Sequence, residues 1–85
     1  MQGNFMFERE KIFVQANREM LRENYPDKYL VIIGEQIIGT YGNAGEAYQE
    51  TIKTHELGSF MIQQVPAKPE NDIFWLSPFA YARIF

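Results

Sequence analysis

The segment YLVIIGEQIIGTY, residues 29–41, restricts the fold of this chain more than any other stretch. Two runs rich in β-branched residues are separated by two residues with glycine first. That is the pattern of a two-residue type II′ hairpin, whose first turn position needs the positive φ that glycine tolerates. The register sets Ile33 opposite Gln36, Ile32 opposite Ile37, and Val31 opposite Ile38. Leu30, Ile32 and Ile37 then share one face of the ribbon, and Tyr29, Val31 and Ile38 the other. Both faces are apolar, so the rest of the chain has to cover two sides of a sheet.

The flanking segments supply candidates for that cover. Residues 7–24 predict a helix, with Ile12, Phe13, Ala16, Met20 and Leu21 recurring at three- and four-residue spacing as one apolar stripe. Tyr25-Pro26 ends it, because the residue before proline is pushed out of the α region. After the hairpin, Asn43 with Glu46 three residues on fits a capping box. The second helix is expected to run to about His55, with Ala44, Ala47, Tyr48, Thr51, Ile52 and His55 inward and Gly58 as its left-handed stop. Residues 60–65 (FMIQQV) read as a third strand, ended by Pro66. The strand-helix-strand connection returns this strand parallel to the second. The most apolar strand, 29–33, belongs in the centre, which favours sheet order 2-1-3 over 1-2-3. The expected fold class is therefore α+β: a single domain over 1–85 with a helix at 7–24 and a β-β-α-β unit at 29–66. A polar linker at 67–72 leads to an aromatic tail at 73–85, a candidate fourth strand or wrap.

Composition narrows the function classes. Eighty-five residues hold one core and no more, and 46% hydrophobic content argues against disorder. With no cysteine, neither a disulfide framework nor a thiolate zinc site is available. The first ten residues carry charges and no continuous apolar stretch, and no run approaches the ~18 apolar residues of a membrane span. A cytoplasmic protein without a membrane association is the default expectation. The net charge of −3 comes from the body of the chain: residues 1–28 balance, whereas residues 29–85 hold six acids and three bases. An acidic body without a Lys/Arg cluster is a poor phosphate-backbone binder, so nucleic acid is not the expected partner.

Catalytic chemistry finds little support. His55 is the chain's one histidine and Ser59 lies four residues on, with Asp27 or Asp72 available as a third group. The triad needs these within hydrogen-bond reach of one another, and each residue has a simpler role, His55 near a helix end and Ser59 in a turn. One imidazole does not make a zinc site, and Glu46 and Glu50 read as a solvated face. The chain is read as not an enzyme, with no catalytic residue, cofactor or metal assigned. A second candidate is the loop Gly39-x-x-Gly42-x-x-Gly45, which follows a strand and opens a helix, where free N–H groups attract anions. Gly39, Gly42, Asn43 and Gly45 are its candidate residues. The lysine and hydroxyl of a P-loop are missing, and each glycine has a structural role to hand: strand bulge, turn, first helical turn.

The apolar excess points elsewhere. Phe74, Trp75, Leu76, Phe79, Tyr81 and Phe85 place five of the chain's thirteen aromatics in its last twelve residues. They either complete the core or dock on another chain, and aromatics are enriched at interface hot spots.

Residues 22–66 resemble a small prokaryotic domain family of unknown function. The resemblance rests on Tyr29 to Ile33, Gly34-Glu35, Ile37-Ile38, Gly39, Glu46-Ala47, Gly58 and Val65-Pro66. It implies the helix, hairpin, helix and strand order and carries no activity. Some relatives accompany retropepsin-like aspartic proteases, which implies a partner or regulatory role. No D-[ST]-G protease motif is present in this chain. The leading expectation is a protein–protein interaction or self-association module, possible as a dimer, using the sheet face and the aromatic segment. The alternative is an anion or small-ligand binder at the Gly39–Gly45 loop, and a small enzyme comes third.

Overall fold

A computed structural model describes residues 7–68. It contains the helices α1 (Glu8–Ala16), α2 (Arg18–Asn24) and α3 (Ala44–Thr51), and the strands β1 (Tyr29–Ile33), β2 (Gln36–Tyr41) and β3 (Met61–Gln64). The strands form one sheet in the order β2-β1-β3, both neighbours antiparallel to the centre. The α+β class and the 2-1-3 order expected from the sequence are those of the structure.

The hairpin closes as its turn residues dictate. Ile33 pairs with Gln36 and Ile32 with Ile37, and Gly34 alone of the two turn residues takes a positive φ, 63°. Beyond Ile37 the register departs from the sequence reading: Val31 pairs with Gly39, not Ile38, because a bulge intervenes. Gly39 belongs there because the Tyr41 ring folds over it; a Cβ at this position would lie 2.7 Å from that ring.

β1 separates two apolar clusters. Leu30 and Ile32 join Phe7, Val14, Leu21, Met61 and Val65 on one face, with Phe13, Tyr25 and Ile37 packed around them. Val31 joins Ala47, Phe60 and Ile62 on the other, bordered by Tyr29, Ile33, Tyr41 and Tyr48. The α1–α2 pair covers the first face and α3 the second. Leu30, Val31 and Ile32 of the central strand are fully buried.

The N-terminal helix differs from the expected single element. It breaks at Asn17 (φ −123°), whose side-chain Nδ2 donates to the Phe13 carbonyl at 2.8 Å. In an uninterrupted helix that carbonyl would accept from the Asn17 backbone N–H, which instead reaches Val14 O. Asn24 seals the end of α2 in the same way, donating to Met20 O. The inward side also differs. Val14 and Leu21 are the buried residues, whereas Ile12 (59% exposed), Ala16 and Met20 (39%) face away from the sheet. Residues seven apart lie almost on one line along a helix, and Ile12 lies roughly 200° around from Val14. Only Phe13 and Leu21 of the expected stripe pack on the sheet.

α1 is fastened to the hairpin by the Glu10 carboxylate, which accepts from the Gly34 N–H at 2.5 Å. α3 starts as expected, Asn43 Oδ1 accepting from the Glu46 N–H at 2.7 Å. It stops at Thr51, earlier than His55; residues 52–55 wind on as turns before Gly58 (φ 95°) reverses the chain. The candidate fourth strand and the tail residues Phe74, Trp75, Leu76, Phe79, Tyr81 and Phe85 lie outside the described residues.

Leu21→Ala should lower unfolding free energy by about 2–4 kcal/mol, as expected for a fully buried leucine. Ile12→Ala should cost under about 1 kcal/mol. Urea unfolding of both variants checks this, and equal costs would refute the assignment of sides.

Candidate functional site

Among the described residues, an apolar surface is left open on the outer side of α1. Glu8, Lys11, Ile12, Gln15 and Ala16 recur every three or four residues and so occupy one side of the helix. Among the described residues they line a shallow, open depression of about 490 Å³, most of whose surface is apolar. Ile12 is its exposed centre. Met20, one turn past the break, continues the apolar character on α2. The ends of the ridge are polar, so the surface has the make-up of a small contact patch with a charged rim. Sequence spacing singled out Ile12, Ala16 and Met20 but assigned them to the core. The available signal was the Val14–Leu21 pair seven residues apart, which sets the buried side.

The glycine loop is arranged differently from an anion cradle. Gly39 is occupied from above by Tyr41, while Gly42 is open to solvent. At the start of α3, the Asn43 side chain already takes the Glu46 N–H, and the Ala47 N–H goes to the Asn43 carbonyl. Glu46 places a carboxylate in the first turn, where it meets the positive end of the helix dipole and opposes a second anion.

The catalytic candidates are not assembled by the hydrogen bonds they make. Ser59 Oγ donates to the Glu56 carbonyl at 2.6 Å, a local turn bond. His55 Nδ1 lies 2.9 Å from Thr54 Oγ1 on the neighbouring residue. Asp27 sits at a left-handed position (φ 63°) in the α2–β1 turn, its N–H bonded to Val65 O. Asp72 lies outside the described residues. Glu46 and Glu50 are exposed, and Glu50 pairs with Lys53 at 3.2 Å on the surface. Among the described residues no group of three potential metal ligands occurs, and no helix is long and apolar enough to cross a membrane.

No protein-family model, curated protein or solved structure matches this chain.

Asn43→Ala should cost about 1 kcal/mol through loss of the helix cap. The measurement is chemical denaturation with and without phosphate. A loss that appears only with phosphate present would mark the loop as an anion site instead.

Proposed function

We propose that this chain is a protein–protein interaction module, self-association included, and that its contact surface is the outer side of α1 around Ile12 and Ala16. The observation that supports the reading is the two-sided apolar character of α1–α2. Val14 and Leu21 already satisfy the sheet, so Ile12, Ala16 and Met20 are not needed for the core. Apolar side chains repeated on the outer side of a helix are the arrangement by which helices meet grooves or other helices. The surrounding Glu8 and Lys11 give the rim opposite charges, which suits orientation of a partner more than attraction of a polyanion. The covered faces of β1 leave this helix side as the better candidate than the sheet. The aromatic residues of the C-terminal segment are not needed for this reading.

The test is analytical ultracentrifugation over a concentration series, beside affinity capture with identification of what is bound. The wild-type chain is expected to gain mass with concentration or to retain a defined protein. Ile12→Glu is expected to reduce that association at least ~10-fold, as a charge in the centre of a contact does. It should leave the circular dichroism and the urea midpoint near the wild-type values. Association unchanged by Ile12→Glu would overturn the proposal.

A further inference from the structure

The sulfur chemistry of this chain belongs to methionine. There is no cysteine, and of the four methionines Met20 and Met61 lie among the described residues. These two are placed in opposite surroundings. Met61 pairs with Ile32 in the sheet and has no exposed surface, enclosed in the cluster of Leu30, Ile32 and Val65. Met20 lies in α2 with 39% of its surface exposed. Oxidation of a side chain follows its exposure, so one sulfur is open to an oxidant and the other is shielded.

The setting of Met20 gives its oxidation a consequence. Hydrogen bonds continue across the helix break: Asn17 N–H donates to Val14 O, and Leu21 N–H to Asn17 O. Val14 before the break and Leu21 after it enter the same cluster. α1 and α2 therefore share an inward side and, with it, an outer one. Ile12, Ala16 and Met20 follow at four-residue spacing, about one turn each, and all three are exposed. The Met20 main chain is held in place, its carbonyl accepting from Asn24 Nδ2 at 2.8 Å. Long side chains on a helix lie back over the preceding turn, which carries Ala16. A flexible thioether on a fixed backbone is suited to an adaptable apolar contact.

We propose that Met20 is an oxidative modification site at which a peroxide weakens the association surface of α1–α2. This inference rests on the reading of that surface given above. The sulfur lone pair attacks one oxygen of hydrogen peroxide, an S–O bond forms as the O–O bond breaks, and water leaves. The sulfur is oxidised by two electrons and the peroxide is reduced by two. The sulfoxide replaces an apolar contact with a polar, hydrogen-bond-accepting one. Covering such a group without supplying a donor is unfavourable. The modification is confined to an exposed side chain, so the core around Val14 and Leu21 is left intact. A partner that covers Met20 in turn shields its sulfur.

The test treats the full chain with hydrogen peroxide, locates the added oxygen by peptide mass mapping, and measures association before and after. Met20 is expected to be oxidised at least ~10-fold faster than Met61, and more slowly in the associated state than in dilute solution. The oxidised chain is expected to associate at least ~5-fold more weakly, with an unchanged circular dichroism spectrum. Methionine sulfoxide reductase should restore the association. Met20→Leu, close in volume, should associate as the wild type does and keep that association after peroxide, with Met1, Met6 and Met61 still present. Equal oxidation of Met20 and Met61, or a loss that persists in Met20→Leu, would overturn the proposal. Association that survives Met20 oxidation but is lost in Ile12→Glu would overturn it while leaving the α1 surface standing. Indifference to both changes would remove the surface and this inference together.

Discussion

Burial of β1 on both faces is the constraint from which the other features follow. Leu30 and Ile32 enter one cluster and Val31 the other, all three without exposed surface. A strand of this kind is stable only if two layers assemble around it. In a chain of 85 residues those layers have to be short. α1, α2 and α3 run nine, seven and eight residues, lengths at which an isolated helix is marginal in water. Each helix therefore owes its existence to the strand it covers, and the strand its burial to the helices. That mutual dependence implies a single cooperative transition for the described residues.

The two edges of the sheet meet the hazard of open strands by different means. β2 has no charge and no proline along QIIGTY, so its composition offers little defence against pairing with another chain. Its defence is geometric. The bulge between the Ile37 and Gly39 pairings kinks the strand, and the Tyr41 ring lies over Gly39 on one side. β3 has no irregularity in its pairing with β1, and Met61, Ile62 and Gln63 along it are buried.

The hairpin, the sheet order, the Asn43 cap and the Gly58 reversal were legible because local chemistry decides them. A glycine that must take positive φ, a side-chain oxygen at a helix start and a strand too apolar to sit at an edge act within a few residues. The sides of α1–α2 were not legible for the opposite reason. Ile12, Phe13, Ala16, Met20 and Leu21 spread over about half of a helical circumference at 100° per residue, so spacing alone does not choose which part turns inward. The sheet chooses, through Val14 and Leu21, and Asn17 interrupts the helix by taking the Phe13 carbonyl with its side chain. The early end of α3 has a similar origin. Ile52 fits the helical pattern, but it is 41% exposed and gains no core contact by continuing the helix. Ile12, Ala16 and Met20 were thus legible as an apolar stripe, and the side on which they lie was not.

A single exposed isoleucine is ordinary on a protein surface. Ile12 differs because the helix that carries it is short, nine residues. Val14 is the one fully buried residue of α1, helped by the partly buried Phe13 and by the Glu10 bond to Gly34. A helix of nine residues is marginal in water without its tertiary contacts. A partner that covered Ile12 and Ala16 would bind the helical state and not the opened one, and so would stabilise α1 by mass action. The Glu10–Gly34 bond would carry part of that gain to the β1–β2 turn, because opening α1 releases the turn's N–H. Binding on the outer side of α1, as proposed, would therefore be linked to order in the hairpin through the Glu10 carboxylate.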